Sequence, residues 1–141
     1  MSVWKQVALQ DPNDVPMCFA CGRDNTIGLK LKFHREGDSV RSEFVPGEQH
    51  QGWPGVVHGG IICTMLDEVI GYSAGFQGLY AVTASMNVHY RKPAMVGHRL
   101  LLSAEMKSVE GRDVRANGRI QLEDGTLIAE ATARMRIIRT D

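Results

Sequence analysis

The sequence has no excess of charge of either sign, and aromatic residues are few. The 141 residues include 16 Lys and Arg against 16 Asp and Glu, and aromatic side chains make up 6% of the chain. A balanced charge provides no basic surface for nucleic acid or for an anionic membrane. Scattered aromatic residues likewise provide no platform on which bases could stack. We therefore expect neither a nucleic-acid partner nor a membrane partner.

Long hydrophobic runs and a disulfide framework are also missing. One long stretch without Asp, Glu, Lys or Arg, 49–66, holds four glycines, a proline and two histidines, which excludes a membrane span there. The first seven residues lack the apolar core and the small-residue cleavage site of a secretory signal. Three cysteines, an odd number, suit a reducing compartment better than paired disulfides. These features predict a cytoplasmic protein.

The hydrophobic pattern predicts a single α+β domain, 1–141, in which 1–28 form an amino-terminal arm with a Cys-x-x-Cys motif. A short helix and an extended segment are expected within 1–17, and a near-apolar helix at 59–75. Strands are predicted at 29–34, 39–45, 79–90, 99–110, 112–123 and 126–139. Tight-turn dipeptides make the last three strands an antiparallel meander. The economical packing is a curved antiparallel sheet of five to six strands around one long central helix.

The segment from Val57 to Asp67 joins a His-Gly-Gly turn to the start of that helix. Glycines allow a ligand to approach the backbone closely, and the first amides of a helix lack internal partners, so they attract an oxyanion. On a helical wheel Asp67 shares a narrow stripe with Gly60, Thr64 and Gly71, which leaves room beside its carboxylate. This combination indicates an active site. The alternative is a plain turn followed by a solvated carboxylate.

Three further motifs accompany this segment: Ala81–Pro93, Val109–Arg112, and the amino-terminal stretch from Cys18 to Leu29. Together the four motifs resemble the PaaI-like group of hotdog-fold acyl-CoA thioesterases. The resemblance implies a hotdog fold, a long helix wrapped by an antiparallel sheet. It also implies hydrolysis of an acyl or aryl thioester to free acid and coenzyme A, with coenzyme A as part of the substrate and no separate cofactor.

The resemblance further implies catalytic roles for residues of the helix and the next strand. The amide of Gly59, with or without that of Gly60, binds the thioester oxygen. Asp67 acts as nucleophile or as general base, two roles between which the sequence does not decide. Thr83 holds the attacking water or the carboxylate, the alternative being a β-branched residue that only fills the strand. Ser85, two residues further along and expected on the same face of the strand, is the second candidate for this hydroxyl.

Other side chains are expected to support the site. His58 is interpreted as a support of the glycine turn rather than as a proton-transfer group. Arg91, Lys92 and Arg112 are candidates for binding the phosphates of coenzyme A, the alternative being solvated charges at strand ends. Some relatives carry Asn or Gln six residues before the histidine. Gly52 occupies that position here, and either Gln51 or His50 is a possible substitute.

A distance argument indicates that two chains share each site. Gly59 and Asp67 are eight residues apart, which is about 12 Å along a helix that rises about 1.5 Å per residue. One carbonyl group cannot contact both residues, so the helix start of one subunit would face Asp67 of a twofold partner. We expect a homodimer, with a dimer of dimers as a further possibility. The alternative is an oxyanion donor from a loop of the same chain.

The Cys18-x-x-Cys21 motif has the spacing of half a zinc site. Cys63 falls inside the predicted helix, so a second half would need His34 or a neighbouring subunit. A redox role is another interpretation. We expect a structural turn and no metal.

Two other functions stay open. The loop from His50 to Gly55 loosely resembles the motif of hotdog hydratases and dehydratases, which act on enoyl or hydroxyacyl thioesters. A non-catalytic acyl-CoA-binding module is the second alternative, although a carboxylate beside the thioester is costly to bury in a protein that only binds. Trp53, Phe76 and Tyr80 are expected to shape an acyl pocket, whose chain-length specificity the sequence does not reveal.

Overall fold

The computed structural model describes residues 14–140 and consists of one long helix packed against one antiparallel sheet. The elements are β1 (His34–Glu36), β2 (Ser39–Phe44), a 3₁₀ turn (Glu48–His50), α1 (Gly59–Gly75), β3 (Leu79–Tyr90), β4 (Leu100–Glu110), β5 (Asp113–Gln121) and β6 (Leu127–Thr140). This arrangement confirms the expected α+β hotdog architecture. The short helix predicted near the amino terminus lies largely outside the described residues.

The sheet has the strand order β1-β2-β4-β5-β6-β3, and all neighbours are antiparallel. The predicted meander of the last three strands is present. The two edges of the sheet differ greatly, because β1 has 3 residues and β3 has 12. Within 14–140, β3 pairs with β6 alone, so its second edge is unpaired.

Small residues on the inner face of the sheet let α1 pack closely. Met65, Leu66 and Ile70 on the helix are fully buried, and each contributes about 1.5–3 kcal/mol by leaving water. A Cβ atom on Gly118 of β5 would lie 2.9 Å from Cγ1 of Ile70, so only glycine permits this approach. The apolar residues of α1 form the core together with the inner face of the sheet. In the described part of the chain no helix is long and apolar enough to cross a bilayer.

The prediction of a strand at 29–34 is wrong, although buried and exposed residues alternate there as expected. Leu29 and Leu31 are buried, while Lys30 is exposed. The amides of the two leucines donate to carbonyls of the Cys-x-x-Cys turn, each at 2.9 Å, rather than to a strand. Lys30 has φ 54, in the left-handed region, which interrupts an extended chain. Strand β1 therefore begins only at His34, the last residue of the predicted strand.

Candidate active site

Asp67 and Thr83 meet in a groove of about 520 Å³ between α1 and β3. The hydroxyl of Thr83 donates to Oδ1 of Asp67 at 2.5 Å. Gly71, four residues after Asp67, also lines the groove, as the predicted stripe of small residues requires. The structure thus places a carboxylate and a hydroxyl donor beside an open space.

Ser85 does not share a face of β3 with Thr83, so this prediction is wrong. Thr83 pairs with Met135 of β6, whereas Ser85 pairs with Arg134. The register shift places an extra residue in β3, a β-bulge that reverses the alternation of side chains. Met135 is buried on the inner face of the sheet, so its neighbour Arg134 lies on the outer face. Ser85 pairs with Arg134 and therefore lies on the outer face too. There it lines a different groove together with Arg134.

His58 caps the start of α1. Its Nδ1 accepts a hydrogen bond from the amide of Gly60 at 2.8 Å, satisfying one of the unpaired amides of the first turn. A Cβ atom on Gly60 would lie 3.0 Å from the same nitrogen. The amide of Gly59 makes no hydrogen bond with any residue in 14–140. Of the two amides proposed for an oxyanion, that of Gly59 is therefore the available one.

Tyr90, whose role the sequence did not reveal, fixes the helix start from the end of β3. Its hydroxyl donates to the carbonyl of Gly59 at 2.9 Å and lies 2.8 Å from Sγ of Cys63. The hydrogen bond with Cys63, together with partial burial, raises the pKa of Tyr90 to about 12. The phenol is therefore protonated at neutral pH. Tyr90 and Gly59 are 31 residues apart in sequence, so no local motif links them.

His50 and Gln51, the possible substitutes for the Asn or Gln side chain that Gly52 replaces, bind backbone amides of the loop before α1. Nδ1 of His50 accepts the amide of Gly47 at 2.9 Å, and burial lowers the pKa of this imidazole. Oε1 of Gln51 accepts the amide of Gly55, also at 2.9 Å. A Cβ atom on Gly52 would approach Cδ2 of His58 to 3.3 Å. A glycine at this position therefore gives the capping histidine space.

Arg91 and Lys92 lie near the helix start. Both line a groove of about 310 Å³ together with Gly59. Arg91 also forms an ion pair with Glu130, with 3.6 Å between nitrogen and oxygen. Both predicted phosphate-binding residues are exposed, so they are accessible to a ligand at this end of α1.

Arg112 lies far from the other two basic residues. Its carbonyl accepts the amide of Ile137, which pairs with Ala81 near the start of β3. Tyr90 at the other end of this strand is nine residues from Ala81, a separation of about 30 Å in an extended strand. Within one chain, Arg112 therefore lies at the opposite end of the sheet from Arg91.

The residues expected to shape an acyl pocket also separate. Phe76 and Tyr80 line the groove of Asp67. Trp53 is 82% exposed and lines another groove with His58 and Gly59. The structure thus brings two of the three together, and places the third at the helix start.

A second cluster lies next to Asp67 on the same helix. Sγ of Cys18 donates to Oε1 of Glu68 at 3.6 Å, and the hydroxyl of Tyr72 donates to Sγ of Cys21 at 3.3 Å. Burial raises the pKa of Glu68, and it also raises the pKa of Cys21 and of Tyr72. His34, the other half predicted for a zinc site, lies on β1 beside Glu36 instead. Sequence reasoning did not reveal Glu68.

The sequence model of the thioesterase superfamily matches residues 54–129 of this chain. The acyl-coenzyme A thioesterase THEM4 of Mus musculus is 38% identical over 93 residues, which cover 65% of this chain and 40% of the relative. The chain therefore spans less than half the length of this relative. The solved thioesterase superfamily protein RHA08564 is 27% identical with a TM-score of 0.79, covering 86% of this chain and 62% of that one. The E. coli PaaI protein, 17% identical with a TM-score of 0.73, covers 79% and 82%.

A long helix wrapped by an antiparallel sheet, with a carboxylate facing a groove at the middle of the helix, defines a hotdog protein. The chain belongs to the thioesterase superfamily. The matched residues include the whole of α1, β3, β4 and β5. The family assignment thus covers both the His-Gly-Gly turn and the pair Asp67 and Thr83.

Proposed function

We propose that this chain hydrolyses the thioester bond of an acyl-coenzyme A, releasing a free acid and coenzyme A. Membership of the thioesterase superfamily supports the reaction class, and the name of the mouse relative supports the substrate class. The observation that carries the proposal is the short hydrogen bond from Thr83 to Asp67 in an open groove. An acyl or aryl group would lie in this groove beside Phe76 and Tyr80.

Asp67 supplies the nucleophilic half of the chemistry. As a general base it takes a proton from water while the water oxygen bonds to the thioester carbon. As a nucleophile it attacks that carbon directly, and water then hydrolyses the resulting anhydride. In both routes the carbon–sulfur bond breaks and coenzyme A leaves as a thiolate that is then protonated. The hydroxyl of Thr83 orients the carboxylate in either route.

The amide of Gly59 supplies the electrophilic half. It lies at the positive end of the helix dipole and has no partner in 14–140, so it can donate to the oxygen that gains charge as the carbonyl is attacked. Gly60 contributes indirectly, because its amide is held by His58. His58 is thus a positioning residue in this proposal.

Two chains complete each site in the proposed enzyme. Gly59 and Asp67 line separate grooves of one chain, and eight residues of helix α1 hold them about 12 Å apart. The unpaired edge of β3, 12 residues long, is a surface on which a second copy can continue the sheet. A twofold dimer through this edge, alone or in a dimer of dimers, would present one helix start to the other chain's Asp67.

Basic residues from both ends of the sheet contribute to coenzyme A binding in the dimer. Arg91 and Lys92 lie near Gly59, the proposed oxyanion donor. Arg112 lies at the opposite end of its own chain, so it would act on a phosphate only through the partner's site. Ser85 faces the outer groove, where Arg134 is its neighbour, and would contact substrate only beyond the reacting carbonyl.

The test of the reaction is a panel of acyl-coenzyme A esters assayed for thiol release, including a crotonyl ester followed by the absorbance of its double bond. We expect thiol release from at least one ester. Hydration of the crotonyl double bond without thiol release would identify a hydratase and overturn the proposal. Binding of esters with neither reaction would identify a binding module.

The test of the shared site is complementation between two inactive variants. Asp67→Asn removes the carboxylate, and Gly59→Pro removes the amide hydrogen. If each site uses Gly59 of one chain and Asp67 of its partner, a mixed dimer contains one intact site, and refolding the variants together restores about a quarter of the activity. A site built within one chain predicts no recovery.

A further inference from the structure

The half-buried cluster of Cys18, Cys21 and Glu68, here called the cysteine-glutamate cluster, plays no part in the proposed thioester chemistry. Its three ligand atoms, two sulfurs and one carboxylate oxygen, all lie within 4.8 Å of one another. None of the three residues is exposed. Cys18 and Glu68 are 50 residues apart in sequence, so the fold itself brings them together.

The two cysteines lie on a turn whose backbone conformation is fixed by hydrogen bonds and close packing. The amide of Cys21 donates to Sγ of Cys18 at 3.5 Å, and the amide of Gly22 donates to the carbonyl of Cys18 at 2.8 Å. A Cβ atom on Gly22 would lie 2.4 Å from the carbonyl oxygen of Pro16, so only glycine fits. The side chain of Asn25 ties the turn to the carbonyl of Met17. Backbone contacts of this kind orient metal ligands in advance.

The carboxylate of Glu68 is partly buried and has no cationic partner among the described residues. It forms no ion pair there, and its hydrogen-bond donors are the thiols of Cys18 and Cys21, which are weak donors. The carboxylate of Asp67 lies next to it on the helix and adds a second negative charge. A buried carboxylate is unfavourable unless a positive charge or strong donors compensate it. A bound cation would supply that compensation.

We propose that the cysteine-glutamate cluster is a Zn²⁺ site with Sγ of Cys18, Sγ of Cys21 and one Glu68 oxygen as ligands. Zinc binds thiolates and carboxylates together and prefers four ligands in a tetrahedron. The fourth ligand is water, because Cys18 and Glu68 also line the groove of Asp67 and the site is open on that side. The ion joins the amino-terminal turn to α1, and so supports one wall of the groove without entering the reaction.

The first test uses the wild-type protein stripped of metal with a chelator and then titrated with Zn²⁺ or Co²⁺. We expect one ion per chain, a sulfur-to-cobalt charge-transfer band, and a Tm that rises by several degrees with Zn²⁺, because the ion binds only the folded state. Zinc should also protect two of the three thiols from a thiol reagent, leaving Cys63 reactive. Absence of a stoichiometric ion, or isolation of Cys18 and Cys21 as a disulfide, would overturn the proposal.

The second test compares three ligand variants with one matched control. Cys18→Ser, Cys21→Ser and Glu68→Gln should each weaken zinc binding by at least about tenfold. Cys63→Ser removes the remaining cysteine, which contacts Tyr90 and not the cluster, and should bind zinc like the wild type. Equal binding by Glu68→Gln would remove the carboxylate from the site and contradict the proposal. If the serine variants do not fold, the ion count and thiol protection of the wild type decide.

Discussion

In the proposed mechanism, the start of α1 acts through its backbone, whereas the middle of α1 acts through side chains. At the start, the amide of Gly59 has no hydrogen-bond partner in 14–140, while the side chains of His58 and Tyr90 hold the surrounding backbone. At the middle, the side chains of Asp67 and Thr83 face the groove, and the backbone of α1 and β3 only carries them.

This difference determines which substitutions should matter at each end. Where a backbone group acts, side-chain changes alter only its position, and the damaging change is one that removes the amide hydrogen itself. Where a side chain acts, a near-isosteric substitution is sufficient to remove the chemistry.

Removal of the carboxylate at the middle of the helix should have the largest effect. Asp67→Asn keeps the shape of the side chain and an oxygen that can accept the hydroxyl of Thr83. It removes the negative charge needed to attack or to take a proton, so kcat should fall by about 10²–10⁴-fold. Thiol-release kinetics measure this change, and the Tm should stay near that of the wild type.

Glu68→Gln is the matched control, because it removes the neighbouring charge from the same groove. This variant should lose far less activity than Asp67→Asn. Equal losses would mean that the charge of the groove or its zinc-supported wall, rather than the position of Asp67, matters. An active Asp67→Asn variant would remove this carboxylate from the mechanism and leave the middle of the helix without a chemical role.

Removal of the amide hydrogen at the helix start should have the next largest effect. Proline is well tolerated at the first position of a helix, and His58 before it already has ψ 134, the extended conformation that precedes proline. Gly59→Pro should therefore fold, yet lose about 10²–10³-fold in kcat because the oxyanion loses its donor. Kinetics with one thioester, alongside circular dichroism, measure both properties.

Gly59→Ala retains the amide hydrogen and is the control for added bulk. Its Cβ would lie 3.5 Å from the hydroxyl of Tyr90, an ordinary contact. We expect much higher activity than in Gly59→Pro. Similar activities for the two variants would show that the amide is not a donor to the substrate, and the contrast between helix start and middle would fail.

Loss of the hydroxyl donor at the middle of the helix should have a smaller effect. Thr83→Val preserves the branched shape and removes the hydrogen bond to Asp67. Because hydrogen bonds to charged groups contribute about 1.5–3 kcal/mol, kcat should fall by about 10- to 100-fold. Thr83→Ser should recover most of the activity. Wild-type kinetics in Thr83→Val would reduce Thr83 to a packing residue.

The sequence predicts the helix more accurately than it predicts the site around it. Apolar periodicity and the flanking glycines place the helix at 59–75, which is where α1 lies. These signals are local, and so are the hairpin turns that define the meander. The prediction for Ser85 fails because a β-bulge depends on pairing with β6, which no pattern within β3 records. Alternation alone identified buried positions at 29–31 but not the backbone conformation of Lys30.

Contacts between distant segments account for what the sequence did not reveal. The hydroxyl of Tyr90 meets Gly59 across 31 residues, and Glu68 meets Cys18 across 50. Each of these residues has an ordinary explanation in its own element, Tyr90 as the end of a strand and Glu68 as a helix charge. Their relation to the site arises only when α1 packs beside β3 and the amino-terminal turn.

Removal of the Tyr90 hydroxyl should have the smallest effect on catalysis. It tests whether side chains at the helix start only hold the backbone of Gly59 in place. Tyr90→Phe loses the hydrogen bond to the carbonyl of Gly59 and the contact with Cys63. The free energy of unfolding should fall by about 0.5–1.5 kcal/mol, measured by denaturant titration, and kcat by less than the loss in Gly59→Pro. A double-mutant cycle with Cys63→Ala should show coupling between the two side chains. A loss of kcat as large as that of Asp67→Asn, with unchanged stability, would make Tyr90 a catalytic residue, and the helix start would then act through a side chain as its middle does.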